Sequence, residues 1–75
     1  MTTIMDWSRA PKWAQYYAID SNGQGHWMTR PPYAVDGERL GYWSFHSGSS
    51  CYGFRHELNG VDWHMLLEQR PAVQP

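Results

Sequence analysis

One cysteine, Cys51, in 75 residues rules out an intramolecular disulfide, so no covalent staple holds this short chain together. Net charge is nearly absent, with six Lys/Arg against seven Asp/Glu. A dedicated duplex-DNA binder carries a basic excess, because phosphate contacts supply most of its affinity; an acidic nucleic-acid mimic carries the opposite. Neither excess is present, which favours partners recognised by shape and aromatic contact over charge. Long apolar runs are missing too, and no stretch approaches the roughly 20 residues that a membrane helix needs. The segment Met1 to Asp6 has neither the basic region nor the apolar run of a signal peptide. With the lone thiol, these absences set the expectation of a soluble protein in a reducing cytosol, away from any membrane.

What the chain has instead is rings: five tryptophans, five tyrosines and two phenylalanines. Trp7, Trp13, Trp27, Trp43 and Trp63 recur about once per candidate structural element. Each large ring can remove on the order of 150–250 Å² from water, enough to replace a missing Leu/Ile/Val core. A chain of this length makes one domain, 1–75, and hides only about 60% of its unfolded surface. Without a staple such a domain is marginal, so a homodimer through an exposed aromatic element is an expectation.

Turn formers and strand formers divide the chain. Residues 1–13 read as an irregular arm, with Pro11 ending any helix begun at Asp6 or Ser8. Ala14–Asp20 and His26–Arg30 read as strands of a hairpin around Ser21-Asn22-Gly23-Gln24-Gly25. Pro31-Pro32 stops the second strand, and residues 31–39 read as a loop with its tip at Asp36-Gly37. Leu40–His46 reads as a third strand and Cys51–Arg55 as a short fourth or an extended edge. Asp62 suits an N-cap, and Trp63, Leu66 and Leu67 fall on one helical stripe before Pro71. The expected fold is therefore α+β: an antiparallel sheet of three to four strands over 14–56, with one short helix over 62–70 packed on one face. Its expected core is Trp13, Ile19, Trp27, Trp43, Phe45, Trp63, Leu66 and Leu67. Residues 73–75 read as a frayed tail.

Two groups of residues at the ends carry a resemblance. Trp7-Ser8-Arg9-Ala10-Pro11-Lys12-Trp13-Ala14, then Ala18-Ile19-Asp20-Ser21-Asn22-Gly23 and Trp27, are followed at the far end by Asp62-Trp63-His64-Met65-Leu66-Leu67-Glu68-Gln69-Arg70-Pro71. In this the chain resembles a loose set of small bacteriophage-encoded accessory proteins, over about half its length. The resemblance implies phage origin and action in the cytoplasm of an infected bacterial host. It brings no catalytic or ligand residues with it.

No motif specifies a reaction. His46, Cys51 and His56, completed by His26 or His64, offer zinc-type donors, but their spacing is looser than that of structural zinc sites. Cys51 beside His46 or His56 lacks an orienting third group for nucleophilic catalysis. Gly23-Gln24-Gly25 lacks the helix and lysine of a phosphate loop and reads as a hairpin turn. Neither enzyme activity, nor a metal, nor a cofactor is expected. Adjacent Tyr16-Tyr17 and Tyr42-Trp43 must point to opposite faces if their segments are strands, leaving rings for an interface. The expected function is a non-enzymatic phage accessory protein that binds, and inhibits or redirects, a host bacterial protein. Its expected contacts are Tyr16, Tyr42 and Tyr52, with Arg30 and Arg39 at the rim. The competing readings are an oligomeric sponge for a small nucleotide signal and, behind it, a single-stranded nucleic-acid binder with stacking rings.

Overall fold

A computed structural model describes residues 6–72. Among these residues six strands run in chain order: β1 (Tyr16–Ile19), β2 (Gln24–Met28), β3 (Tyr33–Asp36), β4 (Gly41–Ser44), β5 (Ser50–Arg55) and β6 (Leu67–Gln69). Strands β5-β2-β1-β6 form one antiparallel sheet, and β3 and β4 form a separate two-stranded one. The β1–β2 hairpin is the one its turn residues foretold, with Tyr17 opposite Trp27 and Ile19 opposite Gly25. Gly23 makes its turn at φ +90°, and a side chain there would run into the His56 carbonyl.

The expected α+β fold is corrected to all-β. In place of a helix over 62–70, a single 3₁₀ turn, Trp63–Met65, leads into β6. Two helical turns are too few to hold themselves. The open edge of β1, by contrast, offers a ladder. Ile19 N–H donates to the Leu66 carbonyl (2.9 Å) and Arg70 N–H to the Gln15 carbonyl (2.7 Å). Tyr17 stands opposite Glu68 between those two bonds. Asp62 still caps, but it caps the 3₁₀ turn, accepting from His64 N–H at 3.0 Å. The expected loop 31–39 holds β3, which pairs with the third strand candidate, so β4 joins β3 and not the main sheet. The described part of the N-terminal arm, residues 6–13, holds a 3₁₀ turn, Trp7–Arg9, and residues 1–5 of the expected arm lie outside the described residues. The tail at 73–75 lies outside the described residues.

Packing follows the period-two alternation of β1 and β2, which are flanked by strands on both sides. Tyr17, Ile19 and Trp27 turn to one face and form the core with Trp7 and Ala14, while Ala10, Leu58 and Leu66 pack partly buried against them. Trp27 sits between two rings, 5.3 Å from Trp7 edge-on and 4.4 Å from Tyr17. Ala18 and Met28 are buried on the opposite face. Of the expected core, Ile19 and Trp27 are buried and Leu66 is half-buried. Trp43, Phe45 and Trp63 are half-buried as well, and Trp13 and Leu67 are exposed. The arm places Trp7 where Trp13 was expected.

The two end motifs meet at one corner of the molecule. The Trp7 indole N–H donates to Glu68 Oε1, and the Arg70 guanidinium lies 5.1 Å over the Trp7 ring. Arg70 also donates to the carbonyls of Ala14 (2.6 Å) and Pro11 (2.7 Å), fastening the arm to β6. Packing of the arm accounts for this set of residues.

Behind the core the Tyr17 hydroxyl is fully engaged. It accepts from Phe54 N–H at 3.2 Å and lies 2.6 Å from His56 Nε2. Burial pushes the Tyr17 phenol up to about 12 and the His56 imidazolium down, so both stay neutral and the phenol donates to the ring nitrogen.

Candidate functional site

The β3–β4 hairpin leans against the end of the main sheet and leaves a cleft of about 600 Å³ between them. Its placement begins at Asp20, just past β1. Asp20 Oδ1 accepts from Trp43 N–H (2.8 Å), and the Trp43 indole N–H donates to the Ile19 carbonyl (3.0 Å). Ser21 and Gly41 exchange two further bonds: Ser21 N–H to the Gly41 carbonyl (3.1 Å), and Gly41 N–H to Ser21 Oγ (2.9 Å). Gly41 lies flat against the Trp63 ring, where a side chain would not fit, and Trp63 meets Trp43 edge-on at 5.7 Å.

The walls are aromatic: Tyr42, Trp43 and Phe45 from the hairpin side and Tyr52 from β5, with Met28 below. At the base Asp20 Oδ2 pairs with His26 Nε2 at 2.7 Å. His26 stacks at 5.3 Å on Tyr52, its register partner across β2 and β5. No lysine or arginine lines the cleft. Such a site suits a neutral or cationic group bearing apolar surface, since rings attract cations through their faces and Asp20 is the one acid present. It does not suit a phosphate.

A second contact ties the hairpin down on its outer side. His64 lies between two carboxylates, with Nδ1 2.7 Å from Asp62 and Nε2 2.7 Å from Asp36 at the end of β3. Both ring nitrogens must donate to satisfy both acids, which only the imidazolium can do. The bonds to Asp62 and then Asp36 accordingly raise the His64 pKa, and the bond from His64 lowers that of Asp62. The sign follows: the His64 contribution is whole below the ordinary histidine range and is lost as pH rises through its raised value. The Asp62 contribution is lost only as pH falls through its lowered value. In an NMR titration of the imidazole resonances, His64 is expected to titrate above an ordinary histidine and His56 below it. Asp36→Asn should bring His64 back toward the ordinary value and leave His56 where it was.

The expected contact residues do not form one patch. Tyr42 and Tyr52 share the cleft, 46% and 78% exposed. Tyr16 and Arg30 line a different groove, of about 500 Å³, with Gln15, Thr29 and Gln69. Arg39 stands exposed on the β3–β4 turn and lines neither. Asp20 and His26 escaped the sequence reading as cleft residues. The hairpin register held the signal, because Ala18 opposite His26 puts position 20 on the same face as 26. The zinc-type donors are scattered: His46 stacks on Tyr33 at 4.9 Å, His56 holds Tyr17, and Cys51 is exposed on β5. Among the described residues no three His, Cys, Asp or Glu side chains gather in a way that could hold a metal, and no helix is long and apolar enough to cross a membrane.

No family model, curated protein or solved structure matches the chain.

Proposed function

We propose that this chain is a non-enzymatic binding domain whose aromatic cleft receives a side chain of a protein partner. With the resemblance to phage accessory proteins, that partner is a protein of the infected bacterium, which the domain inhibits or redirects. The observation that carries the reading is the set of four rings, Tyr42, Trp43, Phe45 and Tyr52, around the Asp20–His26 pair. Tyr52 is largely in water and Tyr42 is partly so, and exposed tyrosines in a concave site are typical anchors for a protein partner. The nucleotide sponge is less well served, because a phosphate would meet Asp20 and no cationic side chain of Lys or Arg in the cleft.

The test compares the wild-type chain with Tyr42→Ala/Tyr52→Ala. Neither residue belongs to the buried core, so the variant should keep its thermal midpoint within a few degrees. Proteins retained from bacterial lysate by the wild type should be lost from the variant, with affinity for a purified target down by about tenfold or more. A panel of nucleotides should leave the melting temperature unmoved. A rise of several degrees with one nucleotide, abolished in the double variant, would establish the sponge instead.

A further inference from the structure

The main sheet ends on one side in β5, a six-residue edge whose first five residues are uncharged. The hydrogen bonds fix which of its backbone groups are free. Asp20 N–H donates to the Gln24 carbonyl (3.0 Å), so even-numbered residues of β2 bond toward β1. Thr29 N–H donates to the Ser49 carbonyl (3.1 Å), so odd-numbered residues at that end of the hairpin bond toward β5. Cys51, opposite Trp27, is therefore turned inward along the ladder. Ser50 and Tyr52 point their N–H and C=O groups out from the sheet.

We propose that this edge pairs with the β5 edge of a second copy of the chain, antiparallel and centred on Cys51. In that register Ser50 of each copy faces Tyr52 of the other, and each facing pair exchanges two N–H···O=C bonds. The edge is thus self-complementary, as a two-fold interface requires. Arg55, the one charged residue of β5, comes opposite Ser47 of the other copy, so no like charges meet. The other edges are poorer templates: β6 has three residues, and β3 follows directly on Pro31-Pro32. On β5 the register with β2 is regular over Ser50–Tyr52, the residues this pairing uses, and the shift in register lies beyond them, between Tyr52 and Arg55. Ser50, Cys51 and Tyr52 also line the aromatic cleft, so pairing joins two clefts across the two-fold axis and adds the second copy's Ser50 beside Tyr52.

Sedimentation equilibrium on the full chain tests this, and a reversible monomer–dimer equilibrium is expected. Ser50→Pro removes an N–H that bonds nothing within its own chain, and Cys51→Lys sets two ammonium groups face to face. Each should raise the dimer dissociation constant by at least about tenfold, with the monomer still folded by circular dichroism. Cross-linking supplies an independent readout, with diamide taking up the two hydrogens that a pair of thiols gives up. Wild type should form its Cys51 disulfide at least about tenfold faster than Cys51→Ser/Met65→Cys, whose thiol sits at a position 75% exposed in the turn leading into β6, at the opposite edge of the sheet. A chain that stays monomeric to millimolar concentration overturns the proposal. So does a dimer indifferent to both substitutions, or equal cross-linking of the two thiols; an extended peptide of another protein would then be the natural occupant of the edge.

Discussion

Alanine at position 25 is expected to abolish the folded state. Gly25 lies in β2 directly beneath the Tyr17 ring, where a methyl group would overlap the phenol hydroxyl and stand 2.9 Å from the Phe54 carbonyl oxygen. Tyr17 cannot yield, since it is fully buried and its hydroxyl is held between Phe54 N–H and His56. Relief would have to come from shifting β5 against β2, which breaks the ladder. Overpacking of this kind costs on the order of 3 kcal/mol or more when backbone must move. A disulfide-free domain of this size has only about 3–5 kcal/mol in total. Far-UV circular dichroism and urea unfolding of Gly25→Ala should therefore show an unfolded chain. Gly60→Ala makes the comparison: it has φ +83° but nothing within 4 Å, so it should lose only about 1–2 kcal/mol of backbone strain. Equal effects of the two substitutions would mean that Tyr17 does not occupy the space under β2.

Trp27→Ala is the second large effect. The indole is 3% exposed and fills the space between Trp7 and Tyr17, so its removal leaves both neighbouring rings facing a void. Truncating a buried tryptophan costs about 3–5 kcal/mol, again the whole stability of such a domain. Trp13→Ala, at a position 40% exposed, should cost less than about 1 kcal/mol. Urea unfolding followed by circular dichroism, which does not depend on the indole removed, separates the two. The comparison bears on function as well, because loss of Trp27 would undo β2 and with it the His26 side of the cleft.

Local signals read well from the sequence; pairing partners did not. The turn residues between Ile19 and Gln24 announced the β1–β2 hairpin, and β5 falls where an extended edge was expected. The Trp63, Leu66 and Leu67 spacing misled, because a helical stripe of three positions is also what a 3₁₀ turn followed by a strand presents. What settles the matter is non-local: an unpaired edge on β1 that only residues 66–70 come to satisfy. The same holds for β3, whose four residues look like loop until β4 supplies a partner. The resemblance motif likewise joined residues from the two ends, but only their geometry shows Trp7 on Glu68 and Arg70 on the arm. Two of the five expected contact residues, Tyr42 and Tyr52, fall in one cleft, but β4 and β5 belong to different sheets, so what brings them together is tertiary placement and not alternation along either strand. The Asp20–His26 pair needed the register.

Fold and binding both depend on rings replacing aliphatic bulk inside the molecule while others remain available outside it. Incorporating 5-fluorotryptophan and comparing ¹⁹F shifts in H₂O and D₂O reports the water contact of each indole separately. Trp7 and Trp27 should show almost no solvent isotope shift, Trp13 a large one, and Trp43 and Trp63 intermediate values. Five similar, solvent-exposed shifts would show that no indole is buried, and both the packing of the sheet and the cleft built upon it would be contradicted.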